Sequence, residues 1–179
     1  NQGLPQWLID ALPEQSFSKN DKGGIISNDI LYYLDETFLK YVFRWYDQVM
    51  PIIGKYQTEK GGPVIMMQVC NEIGVFQWLS GYCDYNESLI DKYRSFLGNK
   101  YLSIENLNER YKTSYGDFRQ ITPPKGNINN RENYRHYYDF HLFFRKYYND
   151  YFQILINRIR SYGINIQLTH NIPGWIYGN

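Results

Sequence analysis

A glutamate, Glu72, stands directly after an apolar run at residues 64–69 that only Gln68 interrupts, with the amide of Asn71 beside it. Cleavage of a glycosidic bond needs such a carboxyl group to protonate the departing oxygen, and a second carboxylate to attack or to activate water. A carboxyl group at the end of an apolar strand is partly desolvated, which favours the protonated form that a donor requires. Glu72 is therefore a candidate catalytic acid, and Asn71 a candidate ligand for a sugar hydroxyl. The structural alternatives are a solvated loop glutamate and a helix-capping partner.

A second apolar run, residues 164–169, also ends in polar and aromatic groups. His170 and Asn171 follow it directly, so we expect them to contact a substrate; the alternative is hydrogen bonding within the loop. Trp7 and Trp175 are candidate stacking platforms, because the C–H-rich faces of sugars pack on aromatic rings. For both tryptophans the alternative is packing in the core or under a lid.

The apolar spacing also predicts the elements that must position these residues. The run at 64–69 is typical of a strand buried on both faces in a parallel sheet, and residues 164–169 predict a second strand. Residues 3–8 (GLPQWL) predict a loop anchored by an aromatic side chain, because Gly and Pro interrupt regular secondary structure there. The helices predicted from a three-to-four spacing of apolar residues are 36–56, 87–97, 103–112 and 131–161.

Helix boundaries are marked by their capping residues. Asp35 and Ser103 are predicted N-caps, since their side-chain oxygens can accept from free amides of the first turn. Gly163 is the predicted C-terminal stop of the long helix. The order helix, strand, helices, strand is that of βα repeats, so the predicted fold class is α/β. In α/β barrels the working residues project from the carboxyl ends of the strands, where Glu72 and His170 stand.

Residues 61–74 (GGPVIMMQVCNEIG) resemble a segment of glycoside hydrolase family 35 that reads GGPIIxxQVENEYG. Residues 3–8 resemble the GGLPxWL loop that follows the third strand of that family. Residues 38–53 are similar to the pattern YLxxVxxWxxxLLP of its third helix. Residues 107–111 (LNERY), with Phe118 and the two prolines 123–124, are more similar to the family 42 β-galactosidases.

These resemblances imply a divergent β-galactosidase-like member of glycoside hydrolase clan A, whose fold is a (β/α)8 barrel. Residues 1–179 would then be part of its catalytic domain, from the third-strand loop to the end of the fifth strand. In the family the final Glu of the motif is the acid/base and the Asn before it contacts the sugar; these positions are Glu72 and Asn71 here.

The resemblance also implies that the nucleophile is a Glu at the end of the seventh strand, beyond residue 179. The other glutamates considered for this role stand in predicted helices or loops and fit it poorly: Glu87, Glu105, Glu109 and Glu132. We therefore expect this chain alone to be inactive on glycosides.

Two positions depart from the family pattern. Cys70 replaces the Glu before the Asn-Glu pair, and Ile73 replaces the usual Tyr. Either change can alter which sugar is accepted. Strand parity puts Cys70 on the side of Glu72, at the barrel mouth; the alternative is a small buried thiol that fills space.

The resulting prediction is a retaining exo-β-glycosidase, in first place a β-galactosidase, that needs neither a metal nor an organic cofactor. The alternatives are a hydrolase of the same clan for another β-glycoside, and an inactive carbohydrate-binding barrel. A bundle of interaction helices, suggested by the long aromatic helix, would leave the Asn71-Glu72 pair unexplained.

Composition limits the partners. The 19 Lys and Arg residues nearly balance the 18 Asp and Glu residues. The chain therefore has no strong positive electrostatic field that would attract nucleic acid or an anionic membrane. Aromatic residues reach 18%, which suits sugar binding but also fits a biased base composition. The two cysteines, thirteen residues apart, make neither a disulfide framework nor a zinc site.

No apolar run reaches the ~20 residues of a membrane span. The N-terminus has no signal-peptide pattern and no Met, so the chain is expected to be cut from a longer one, and both a cytoplasmic and a secreted location stay open. A piece with two strands would leave sheet edges uncovered, so we expect contact with other copies or other segments.

Overall fold

The computed structural model describes residues 4–28, 30–74, 84–125 and 134–171. Two parallel strands, β1 (Met66–Asn71) and β2 (Gln167–Asn171), form a two-stranded sheet. The α-helices of the described residues are α1 (Gln6–Ala11), α2 (Glu36–Tyr56), α3 (Glu87–Tyr101), α4 (Ile104–Tyr111) and α5 (Tyr134–Arg160). The α/β class and the order of the elements are as predicted.

Helix α2 leads into β1, and its boundaries follow from local chemistry. The Asp35 carboxylate accepts from the Phe38 amide at 2.8 Å and so satisfies a free donor of the first turn. After the helix, the fully buried Gln57 donates to the carbonyl of Gly163 at 2.9 Å and accepts from the amide of Asn165 at 2.9 Å. These bonds tie the segment before β1 to the segment before β2, so the two strands start in register.

Helix α5 supplies the largest aromatic surface of the core. Its buried side chains recur every three or four residues, as the sequence predicts, and include Phe140, Phe144, Tyr151 and Ile159. The helix ends before Gly163, which has a φ of +72°. The helix therefore turns back directly into β2.

The strands begin two or three residues later than predicted. Val64 exchanges hydrogen bonds with the end of α2, its amide donating to the Tyr56 carbonyl and its carbonyl accepting from the Thr58 amide, both at 3.0 Å. Arg160 similarly binds the carbonyls of Ile164 and Ile166. Because these backbone groups are already paired, the β1–β2 ladder starts only at Met66 and Gln167.

The prediction that β1 is buried on both faces is wrong for this chain. One face, which we call the helix face, packs Met67, Val69 and Leu168 against the core. The other, the open face, carries Met66, Gln68 and Asn71, and Met66 is 48% exposed. The described residues contain no element that covers this open face.

The predicted loop at residues 3–8 is wrong for residues 6–8, because Gln6–Ala11 forms helix α1, while residue 3 lies outside the described residues. Pro5 fixes the backbone before the helix, and its carbonyl accepts from the amides of Leu8 and Ile9. Helix α3 starts as predicted but runs four residues beyond its predicted end, whereas α4 agrees with the prediction to within one residue at each end. Ser103 caps α4 by accepting from the Asn106 amide. None of the described helices has the length and apolarity needed to cross a membrane.

Candidate functional site

The site forms at the carboxyl edge of the sheet, the edge at which both strands end. Gln68 pairs with Thr169 and Asn71 with Asn171, so β1 uses one residue more than β2 over this stretch. The extra residue is a local irregularity of the kind that re-aims side chains beside active sites. As predicted from the fold class, Glu72 and Asn171 come to lie at the same edge.

The register shift decides where the Cys70 side chain lies. Val69 and Cys70 are both half-buried, whereas Asn71 returns to the open face with Gln68. Burial raises the pKa of the Cys70 thiol. The pKa of Tyr46 on α2 is raised to about 12, mainly by burial and to a smaller extent by the nearby Cys70. Cys70 therefore lies on the core side and not at the barrel mouth as strand parity predicts, which agrees with the alternative of a thiol that fills space.

Glu72 has a left-handed backbone conformation, with a φ of +48°. This conformation is costly for a residue with a β-carbon and persists only where the surroundings hold it. Here the Glu72 amide donates to Oδ1 of Asn171 at 3.2 Å. The side chain is half-exposed, neither in a helix nor on a remote loop. The carboxyl group can thus meet a ligand at the strand end.

The residues after Glu72 anchor it to the core. Ile73 is 2% exposed and belongs to the hydrophobic cluster. Gly74 has a φ of +80°, and a β-carbon there would lie 2.7 Å from the hydroxyl oxygen of Tyr148. A glycine is therefore required at this position. The turn is a fixed structure with Glu72 between two anchors.

Three amide side chains meet beside Glu72. Nε2 of Gln68 donates to Oδ1 of Asn171 at 2.7 Å and to Oδ1 of Asn71 at 3.1 Å. Nδ2 of Asn171 donates to Oδ1 of Asn71 at 3.1 Å. Gln68 was not among the predicted site residues. Its position as the only polar residue within the apolar run was the signal that could have identified it.

His170 has a different environment from its neighbour Asn171. Its ring packs against Phe152 of α5, with 4.3 Å between ring centroids, and its Nδ1 lies 2.7 Å from the Cys70 carbonyl oxygen. A carbonyl only accepts, so the proton of the neutral ring is on Nδ1. Burial lowers the pKa of His170, partly opposed by the hydrogen bond to the Cys70 backbone. The structure therefore places His170 on the helix side of the sheet, bonded within the protein.

The two tryptophans do not join this group in the described structure. Trp7 lies on α1, is 61% exposed, and makes an edge-to-face contact with Tyr41 of α2 at 5.9 Å. Trp175 lies outside the described residues. Of the predicted site residues, the structure brings together Asn71, Glu72 and Asn171.

Four further glutamates were considered for the role of nucleophile, and the structure shows where three of them lie. Glu87 and Glu105 stand in the first turns of α3 and α4, Glu109 lies within α4, and Glu132 is outside the described residues. Within the described ranges, no group of three His, Cys, Asp or Glu side chains could hold a metal ion.

Comparison with known proteins gives the family. The model of glycoside hydrolase family 42, described as beta-galactosidase, matches residues 1–178. A beta-1,2-glucosyltransferase from Ignavibacterium album is 56% identical over all 179 residues, which cover 25% of that protein. An exo-beta-D-glucosaminidase from Pyrococcus horikoshii is 32% identical over 171 residues, 90% of this chain and 21% of that protein. The chain thus spans about a quarter of the length of these relatives.

Solved structures agree on the fold. A β-galactosidase from the haloarchaeon Halorubrum lacusprofundi superposes with a TM-score of 0.75 over 94% of this chain and 25% of its own, at 20% identity. One from Marinomonas ef1 gives a TM-score of 0.72 over 95% of this chain and 26% of its own, at 18% identity. Both are (β/α)8 barrels, so the chain is a part of such a barrel. Membership in family 35, which the motif at residues 61–74 resembles, is not confirmed. The chain belongs to glycoside hydrolase family 42, the β-galactosidase family of clan A.

Proposed function

We propose that the whole protein breaks β-glycosidic bonds with retention of configuration, and that Glu72 is its acid/base. Residues 1–179 would form part of the catalytic barrel domain. The observation that carries this proposal is the placement of Glu72: directly after β1, at the carboxyl edge of a parallel pair, in a left-handed turn held by Asn171. Barrel enzymes place their catalytic residues at this edge.

In the first step the Glu72 carboxyl group would protonate the oxygen of the departing sugar. The nucleophile would be a second carboxylate from a part of the protein outside this chain, about 5 Å from Glu72, as retention requires. In the second step the Glu72 carboxylate would take the proton of the hydroxyl group that attacks the glycosyl-enzyme. That hydroxyl group belongs to water in a hydrolase and to a second sugar in a transferase.

The first candidate for the whole protein is transfer of a β-glucosyl group to a sugar hydroxyl. The relative named beta-1,2-glucosyltransferase is 56% identical over the entire chain, well above the other relatives reported above. The second candidate is hydrolysis of terminal β-galactosides, expected from the sequence motifs. It is supported by the description of the family model and by the names of the two solved structures. Both candidates use Glu72 in the same way.

The test uses the full-length protein on aryl β-glucosides, β-galactosides and β-glucosaminides, with and without a sugar acceptor. Glu72→Gln is expected to lower kcat/KM about 10²–10⁴-fold on disaccharides, because general acid catalysis contributes this much. The loss should be much smaller with 2,4-dinitrophenyl glycosides, whose leaving group departs readily without a proton. NMR of the first-formed anomer checks retention.

Three results would contradict the proposal: inverted product, equal loss for all leaving groups, or full activity of Glu72→Gln. Sugar binding without turnover in the wild-type protein would favour a non-catalytic carbohydrate-binding barrel. The chain by itself should show no turnover on a chromogenic glycoside, since the proposed partner carboxylate would come from another part of the protein. Turnover by the isolated chain that Glu72→Gln abolishes would contradict this last point.

A further inference from the structure

The three amides at the carboxyl edge, Gln68, Asn71 and Asn171, form one connected network that also includes two backbone groups. Oδ1 of Asn171 lies 3.2 Å from the Glu72 amide nitrogen, and Nε2 of Gln68 lies 3.0 Å from the Cys70 carbonyl oxygen. Nε2 of Gln68 also lies within hydrogen-bond distance of Oδ1 of Asn171 and Oδ1 of Asn71, so its two hydrogens are shared among three acceptors. Nδ2 of Asn171 donates to Oδ1 of Asn71. The network therefore joins the ends of both strands to the backbone of Glu72.

The two backbone groups fix the orientation of all three amides. The Glu72 N–H can only donate, so the atom of Asn171 that faces it must be the oxygen. The Cys70 carbonyl can only accept, so the atom of Gln68 that faces it must be the nitrogen. The remaining amide atom of Asn171 is then its nitrogen. Asn71 must consequently turn its oxygen toward both donors.

This orientation has a consequence for Asn71. Its Oδ1 is occupied by two N–H donors, whereas its exposed Nδ2 has no hydrogen-bond partner among the described residues. Asn71 is thus set to present N–H donors, and not its carbonyl oxygen, at the open face. A sugar oxygen with a free lone pair is the group that would accept from it.

We propose that Asn171 is a positioning residue, which acts through Glu72 and Asn71 and not by its own contact with the sugar. Its oxygen holds the amide of Glu72 in the left-handed turn, and its nitrogen holds Asn71 in the donor orientation. This inference rests on the proposed role of Glu72 as acid/base. It replaces the expectation that Asn171 binds substrate directly, because Oδ1 already accepts two hydrogen bonds within the protein.

Two substitutions in the full-length protein separate the two tasks. Asn171→Ala removes the hydrogen bonds of this side chain to the Glu72 amide, to Asn71 and to Gln68, so proton donation by Glu72 should become less efficient. We expect kcat/KM to fall about tenfold or more with unsubstituted phenyl glycosides and clearly less with 2,4-dinitrophenyl glycosides. Asn171→Asp keeps an acceptor for the Glu72 amide but cannot donate to Asn71. It should raise KM several-fold while the dependence on the leaving group stays close to that of the wild type.

Gln167→Ala is the matched control, because Gln167 is an exposed polar residue on the same strand with no hydrogen bond to the network. It should leave both parameters unchanged. Thermal unfolding of each variant checks that it is folded, and Asn171→Asp carries the test if Asn171→Ala does not fold. Two results would overturn the proposal. One is a loss of kcat/KM in Asn171→Ala that is the same for all leaving groups. The other is a leaving-group dependence in Asn171→Asp that is as steep as in Asn171→Ala.

The same series distinguishes this inference from the proposed function. If Glu72→Gln shows no leaving-group dependence, the acid/base assignment fails and the role of Asn171 fails with it. If Glu72→Gln shows the dependence and Asn171→Ala does not, only the positioning role is wrong.

Discussion

At the scale of single residues, the turn after β1 concentrates unusual backbone geometry in a short space. Glu72 and Gly74 both have positive φ, and Ile73 between them is buried. The backbone that carries the acidic side chain is therefore held by its neighbours on both sides. This arrangement favours a fixed position at the strand end, which is what a proton donor needs.

Gly74 provides a direct test of this turn. In Gly74→Ala the new methyl group would meet the hydroxyl of Tyr148, whose side chain is buried, in a backbone conformation that alanine disfavours. We expect the free energy of unfolding to fall by about 2 kcal/mol, and kcat to fall because the turn that carries Glu72 shifts. Urea unfolding and steady-state kinetics of the full-length protein measure the two effects.

The matched control is Gly98→Ala in α3, where the new methyl group meets nothing within 4 Å. A helix interior favours alanine over glycine, so this variant should gain about 0.5–1 kcal/mol and keep its activity. If Gly74→Ala proves as stable and active as Gly98→Ala, the constraint on the turn is wrong.

At the scale of elements, a buried carboxylate connects three helices. Asp139 of α5 is fully buried and accepts from Lys100 of α3 at 2.6 Å and from Tyr111 of α4 at 3.0 Å. Tyr101, the last residue of α3, also donates to it. All three donors meet one side chain, so Asp139 fixes the packing of α3 and α4 against α5.

Asp139→Ala should therefore destabilise the protein by about 3 kcal/mol, because it leaves buried hydroxyls and an ammonium group without their acceptor. Asp150→Ala on the same helix is the comparison, since Asp150 forms a solvent-exposed ion pair with Lys146. That substitution should cost less than about 1 kcal/mol. Urea unfolding of both variants decides the matter, and equal effects would show that the Asp139 network does not hold the helices.

At the scale of the whole molecule, the aromatic interior makes stability sensitive to acid. His136 of α5 stacks near Tyr93 and Tyr111, and burial, partly opposed by a hydrogen bond to the Thr122 backbone, lowers its pKa to about 4. In the unfolded chain His136 binds a proton near pH 6.5, and in the folded chain only near pH 4. The contribution of the neutral His136 to stability is thus fully present above pH 6.5 and is lost as the pH falls toward 4.

The difference between wild type and His136→Asn isolates this contribution. On going from pH 7 to pH 4.5, the wild type should lose on the order of 2 kcal/mol more than the variant. Urea unfolding of the full-length proteins at the two pH values measures the difference. A variant with the same acid sensitivity as the wild type would contradict the assignment to His136.

The sequence by itself determined helices α2 to α5, the strand order and the edge at which Glu72 lies, but not the short helix α1. These features follow from local chemistry: the apolar spacing of α2 and α5, the caps at Asp35 and Ser103, and the stop at Gly163. Such signals act within a few residues, so they can be seen without knowing what packs against what.

Only the tertiary structure decided which side chains share the site. The ladder loses one residue of register between Gln68 and Asn71, which turns Cys70 inward and brings Asn71 beside Asn171. Counting along a strand assumes strict alternation, and a single extra residue reverses every side after it. His170 is predicted at the site from its place at a strand end and Trp7 from its aromatic ring, but their contacts are with Phe152 and Tyr41. Contacts between residues about a hundred positions apart, such as Gln68 with Asn171, depend on how the strands pair, and no local pattern encodes that pairing.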